Sequence, residues 1–245
     1  MKCLFACLCL LAAPLAMAES LQVAVAANFA TPLQKLVDHY RLQHPDVTIR
    51  MTVASTGKLA AQIRQGAPYD LFLAADDRRP RQLASEGLIV SESVRTYAIG
   101  QLVLWSPEIG DVLDGHSLMA GTVDPVALAN PRTAPYGLAA EAVLQAFPPP
   151  KKVRQVLAEN VAQSYHFAQS GAAAAAFVAL SQVRDLGGRQ WRVPDQMYPV
   201  IRQQSGLIST SSTARAFYDF LFSPPATAII RQQGYRTDEV VNGSE

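Results

Sequence analysis

Past its ninth residue the sequence has no cysteine; Cys3, Cys7 and Cys9 are the three it contains. The body of the chain therefore has no disulfide framework, no thiol nucleophile and no thiolate metal site, which suits an oxidising compartment. Histidine is nearly as scarce. His39, His44, His116 and His166 show no metal-ligand spacing and no paired carboxylates beside them. His39 and His44 read as solvated. No serine occupies a G-x-S-x-G elbow. Asp76 and Asp77 adjoin at a strand end, where neighbouring side chains point apart, and are expected to cap the next helix. A hydrolase using Asp76 or His166 would lack both an activated nucleophile and a partnered base, so no catalytic residue is expected.

Excess charge is missing as well. The chain holds 21 basic and 20 acidic residues, and without Lys2 the two are equal. No basic stripe is there to follow a nucleic-acid backbone or an anionic membrane, so nucleic acid is not an expected partner. A bound anion must be held by local dipoles rather than by a global field.

What is present begins with an export signal. Lys2 gives a positive start, Leu4 to Leu15 form a short apolar stretch broken by Pro14, and Ala16-Met17-Ala18 fits a signal-peptidase site ahead of Glu19. The stretch is too short for a membrane anchor. Leu4-Phe5-Ala6-Cys7 loosely resembles a lipobox, but that alternative leaves almost no apolar region before Cys7. Setting the signal aside leaves 245 − 18 = 227 residues, room for one large domain or two lobes of roughly 100 each.

Short buried strands alternate with amphipathic helices. Leu21 to Ala26 reads as a strand; Asn28 or Thr31 then caps a helix with Pro32 in its first turn. Leu33, Leu36, Val37 and Tyr40 give that helix one apolar face. Val47 to Val53 reads as a second strand, and Ser55-Thr56-Gly57 opens a second helix. Asp70 to Ala75 is a third strand, before a helix from about Arg78 to Glu86. Three such repeats predict an α/β fold with a parallel sheet and helices on its faces. Further on, Tyr97 to Trp105 reads as one long strand, Val126 to Ala129 and Ala175 to Leu180 as others. Ala140, Val143, Leu144 and Phe147 share a helix face. Ser212 or Thr213 caps a helix stopped by Pro224-Pro225, and a last helix, Ala226 to Gln233, ends at Gly234.

Ser55-Thr56-Gly57-Lys58 suggests a phosphate-binding loop, but Thr52 replaces the first glycine and Leu59 the Ser or Thr after the lysine. What survives is a pair of hydroxyls and several N–H groups at a helix start. The same arrangement recurs at Asn28, at Tyr136-Gly137 and at Val161-Ala162-Gln163-Ser164. Each helix start carries free N–H groups and the positive end of the helix dipole. Capping alone explains any one of them; four along a chain without catalytic residues suggest a cleft lined by neutral donors.

At these residues the sequence resembles the molybdate-binding proteins of ABC importers, from about Leu21 to Tyr235. The resemblance is carried by Ala26-Ala27-Asn28-Phe29, Ser55-Thr56-Gly57-Lys58, Gly66 to Asp76, Tyr97 to Trp105, Asn130-Pro131 and Ala134-Pro135-Tyr136-Gly137. It implies a two-lobed periplasmic binding protein fold, each lobe a mixed, mainly parallel sheet flanked by helices, joined by crossing strands. Lobe 1 would take residues 19–97 and about 205–245, and lobe 2 residues 98–204. The polar run Gln203 to Gly206, after a strand at Tyr198 to Ile201, would serve as the flexible return. The resemblance also implies an oxyanion held by Ala27, Asn28, Ser55, Tyr136 and Val161: Asn28 through backbone and side-chain N–H, Ser55 through hydroxyl and N–H, Tyr136 through its phenol, Val161 through its N–H. Ala27 stands where relatives carry Ser or Thr. Ala179, next to Val178, stands where some members place a ligand tyrosine, so this chain resembles the subgroup using Tyr136. The expected ligand is molybdate or tungstate, with sulfate, phosphate or an iron chelate as rival cargoes and a sensor role as another alternative. No cofactor and no direct protein–metal ligand is expected. A periplasmic monomer serving a membrane permease completes the reading.

Overall fold

The computed structural model describes residues 19–237; the expected signal segment 1–18, with its lipobox-like Cys7, lies outside the described residues. In chain order the elements are β1 (Glu19–Ala26), α1 (Ala30–Arg41), β2 (Val47–Ala54), α2 (Thr56–Arg64), β3 (Leu71–Leu73), α3 (Arg78–Ser85), β4 (Arg95–Gly100) and β5 (Leu102–Ser106). There follow α4 (Gly115–Ala120), β6 (Val126–Ala129), α5 (Pro135–Ala146), β7 (Gln155–Ala158), α6 (Val161–Gln169), β8 (Ala175–Ala179), α7 (Leu180–Val183), β9 (Arg189–Arg192), β10 (Ile201–Leu207), α8 (Ser212–Leu221) and α9 (Pro224–Gln232).

Two five-stranded sheets result, ordered β2-β1-β3-β10-β4 and β7-β6-β8-β5-β9. They share one plan. Three parallel strands lie together, and the fourth runs against both of its neighbours: β10 in the first sheet and β5 in the second. Both sheets are covered on both faces, because successive side chains alternate between them. Val23, Val25, Leu71 and Leu73 pack with Leu33, Phe217 and Ile230, whereas Ala24, Phe72 and Ala74 face Leu59 and Leu83. In the second sheet Leu102, Leu104, Val126 and Leu128 face Val143, while Val103, Trp105, Ala127 and Val178 face Ala168 and Val183. The two-lobed, mixed-sheet fold expected from the resemblance is present.

Several local expectations need correction. Tyr97 to Trp105 is two strands in different sheets, parted by Gln101 alone. Both halves are fully buried, so hydropathy carries no sign of the change. Gln203 to Gly206 is not a loose return but the middle of β10, with a register shift between Gln203 and Gln204. Its polar side chains survive burial through hydrogen bonds: Gln203 accepts from Tyr97, and Oγ of Ser205 donates to the carbonyl of Arg95 at 3.3 Å. The first sheet accordingly keeps residues up to Gly100 and resumes at Ile201, so Ala98–Gly100 and Ile201–Gln204 do not sit in the second sheet as the lobe limits had it. The N-cap of α1 is Phe29, with no side-chain cap from Asn28 or Thr31. Ser211 caps α8. Pro224-Pro225 forms the first turn of α9 under a Ser223 cap rather than a stop.

Candidate functional site

Four helix starts face one cavity of about 200 Å³, mouth included. A 3-10 turn, Ala27–Phe29, leads into α1 and brings Ala27 and Asn28 to the wall. The N-cap Ser55, in extended conformation, precedes α2 and lines the cavity with Thr56. Tyr136 of α5 and Val161 of α6 complete the wall. All five residues singled out in the sequence thus line a single cavity. No charged side chain lines it, and none of α1, α2, α5 and α6 has an acidic residue in its first turn.

The chain spends some terminal N–H groups elsewhere and thereby fixes which remain. In α5, Pro135 has no N–H, and those of Gly137 and Leu138 both go to the carbonyl of Ala134; the N–H of Tyr136 is left. A Cβ at Gly137 would overlap the carbonyl oxygen of Ala129, so glycine lets α5 start hard against β6. In α6, Oδ1 of Asn160 accepts from Ala162 at 3.0 Å and Gln163 at 3.1 Å, leaving Val161. The helix start at Val161 is as expected, but its N-cap Asn160, also in the cavity wall, was missed; the capping preference for Asn was the available signal. In α2, the N–H of Gly57 reaches across the cleft to the carbonyl of Thr133 at 2.9 Å, and Oγ1 of Thr56 accepts from Ala75. The hydroxyl of Ser55 makes no capping bond.

Two expected donors point elsewhere. Nδ2 of Asn28 has two hydrogens, and both are used: on Oε1 of Gln203 at 2.9 Å and on the hydroxyl of Tyr235 at 3.1 Å. Its carbonyl accepts from Tyr235 at 2.8 Å and from Ser181 at 3.1 Å. Only its backbone N–H remains for the cavity. The phenol of Tyr136 lies over Gly100 in the crossing strand, where a Cβ would overlap Oη. That oxygen makes no hydrogen bond of good geometry. Burial, with Tyr235, Tyr198 and Tyr97 nearby, pushes the phenol well above its ordinary range. Burial likewise pushes Tyr235 and Tyr198 up to about 12. These phenols are neutral at any physiological pH.

The other sequence candidates fall outside the cavity. Lys58 is exposed and 3.6 Å from Glu159. Ala179 and Val178 lie within β8. Asp76 does cap α3, accepting the N–H of Arg79 at 3.0 Å, while Asp77 pairs with Arg81 at 3.2 Å. His44 is exposed, as expected, with its ring stacked on Tyr40; His39 is half-buried and stacks on Phe220. Among the described residues no group of three or more His, Cys, Asp or Glu could hold a metal ion.

The comparisons with known proteins agree with this geometry. Residues 21–236 match the model of the bacterial extracellular solute-binding protein family. The molybdate-binding protein ModA of Azotobacter vinelandii is 39% identical, over 90% of this chain and 91% of that protein. ModA of Rhodobacter capsulatus is 38% identical, over 93% and 92%. The solved periplasmic molybdate-binding protein of Azotobacter vinelandii superposes with a TM-score of 0.83 at 36% identity, covering 89% of this chain and 99% of that one. The chain belongs to the bacterial extracellular solute-binding protein family.

Proposed function

We propose that this protein captures molybdate, or tungstate of nearly the same size, in the periplasm and hands it to the permease of an ABC importer. The observation that carries the reading is the meeting of four helix starts at a cavity without charged side chains. A desolvated dianion is tolerable only when its oxygens keep their hydrogen bonds. Neutral N–H and O–H donors supply them, and bonds to an ionised partner are roughly twice as strong as neutral ones. In this reading Asn28, Tyr136 and Val161 give backbone N–H groups, Ser55 gives its hydroxyl and N–H, and Ala27 forms wall only. Neither side-chain amide nor phenol is needed.

A donor-only cage also selects. Phosphate near neutrality keeps a proton that needs an acceptor, and no carboxylate lines the cavity to take it; sulfate is too small to reach every donor. The relatives named as molybdate-binding support the ligand, and the leader-like first eighteen residues support export. In this reading the protein works as a monomer, without nucleic acid or catalysis. Calorimetry on the processed chain tests the reading: molybdate and tungstate should bind more tightly than sulfate, and phosphate should not register. Tighter binding of sulfate or phosphate would overturn the ligand assignment.

A further inference from the structure

We infer that Arg79 is a positioning residue for capture: it holds the cleft shut and so sets how long a captured anion stays, without touching that anion. The inference rests on the capture reading above, but the bond behind it does not.

Arg79 stands in the first turn of α3, beside the first sheet, and is largely buried. Its guanidinium divides its donors. Nη1 pairs with Oδ2 of Asp76, within the same unit. Nη2 donates to the carbonyl of Arg132 at 2.9 Å, in the loop between β6 and α5 of the second sheet. Next to it, Gly57 donates to the carbonyl of Thr133 at 2.9 Å. A Cβ at Gly57 would come within 3.1 Å of Nη2 and 3.0 Å of Thr133, so the three groups are closely packed. Two first-sheet donors therefore grip two consecutive carbonyls of the second unit. The chain then continues through Ala134 to Pro135 and Tyr136, the cavity wall formed by α5.

The chemistry suits a latch. Asp76 neutralises the guanidinium and stays with it when the cleft opens, so opening breaks the bond to Arg132 while the ion pair persists. A planar fork can serve two partners in different directions; an ammonium on a flexible stem does so poorly. An ion pair that does cross the cleft, Lys58 with Glu159, has side chains 57% and 70% exposed and contributes little. Arg79 does not line the anion cavity, and its charge is already matched, so it is no counter-ion.

Arg81 supplies an internal control. It sits on the same helix and pairs with Asp77, but its side chain is 61% exposed and its recorded partner lies within the first unit. Stopped-flow exchange of molybdate should show Arg79→Met releasing it about tenfold faster, the effect of losing one charge-assisted hydrogen bond, with the association rate unchanged. Arg79→Lys should recover only part of this, and Arg81→Met should change neither rate. Because all three cysteines precede Glu19, spin labels at Lys35→Cys and Lys152→Cys report the inter-lobe distance without ligand. That distance should lengthen in Arg79→Met. Unchanged release and unchanged distance would overturn the inference. If the parent chain bound no molybdate the capture reading would fall, and the label distance alone would still decide for or against Arg79. Should Arg79→Met not fold, Asp76→Asn keeps a cap acceptor for α3 while freeing the guanidinium. It should move release and distance in the same direction, and no movement would count against the latch.

Discussion

The side-chain amide of Asn28 donates to Oε1 of Gln203 at 2.9 Å, joining residues 175 positions apart in the chain. One lines the anion cavity and the other lies in β10, the strand by which the chain re-enters the first sheet. The same oxygen of Gln203 accepts from the phenol of Tyr97 at 3.1 Å. A single acceptor thus fixes a cavity residue and both crossing strands.

Gln203→Leu would leave one hydrogen on Nδ2 of Asn28 without an acceptor, whereas the Tyr97 hydroxyl keeps the carbonyl of Ala74 at 3.1 Å. One unsatisfied buried donor costs about 1–3 kcal/mol, so the midpoint of thermal unfolding should drop by roughly 2–12 °C in a chain of this size. Molybdate affinity should fall with it, since the Asn28 backbone loses its anchor. Thermal scans and calorimetry on the same preparation check both effects; an unchanged midpoint would mean that the cluster is not holding the strands.

Ser55→Ala and Tyr136→Phe should differ sharply. Removing the Ser55 hydroxyl takes a hydrogen bond from an ionised ligand, about 1.5–3 kcal/mol, and should weaken molybdate binding about tenfold or more. The Tyr136 oxygen lies against Gly100 and has no hydrogen-bond partner of good geometry. Its removal should leave affinity within about threefold, on the order of 0.6 kcal/mol, and stability unchanged or slightly raised. Isothermal titration of the pair decides, and a larger loss for Tyr136→Phe would put the phenol on the anion.

Gly100→Ala tests the same contact from the other side. Its Cβ would collide with Oη of Tyr136 and approach Nε2 of Gln203 to 3.0 Å. The ring must move, and with it the start of α5, so molybdate affinity should drop at least tenfold, or about 1.4 kcal/mol. Combining Gly100→Ala with Tyr136→Phe should restore part of the loss. A double mutant no better than the single would show that the backbone, not the phenol, resists the methyl group.

Alkaline stability follows from the buried phenols. Tyr235 and Tyr198 are raised from an ordinary 10.0 to about 12, chiefly by burial. Between these values the unfolded chain loses protons that the folded chain keeps, so stability falls as pH rises. Their contribution is intact below pH 10 and is lost on the way to pH 12. Urea unfolding at several pH values should show a midpoint that is level from pH 7 to 9 and declines above 10. Molybdate affinity should be flat from pH 6 to 9, because no titratable side chain of the cavity changes state there.

Much of this molecule is legible in its sequence, and the failures have a common cause. Short apolar strands and capped helix starts are local, so β1, β6 and α2 follow from the residues that form them. The convergence of Ala27, Asn28, Ser55, Tyr136 and Val161 was legible only through resemblance, since spacing does not say which helix starts face each other. Side-chain direction was not legible at all. Asn28 turns inward because Gln203 and Tyr235 wait there, and Tyr136 turns to Gly100 because no Cβ stands in its way. Both partners are remote in sequence. The break at Gln101 was hidden for another reason: two fully buried strands in succession have the hydropathy of one.

That break bears on the kind of motion open to the protein. A single residue spans at most about 3.6 Å, so at Gln101 the two halves are pinned like the arms of a pair of compasses. The other passage, residues 193–200 between β9 and β10, is longer and can follow. Sliding of one half past the other is thereby excluded, and displacement must grow with distance from the pin. The clasp made by Gly57 and Thr133 therefore has more leverage over the angle than any contact near the pivot could have.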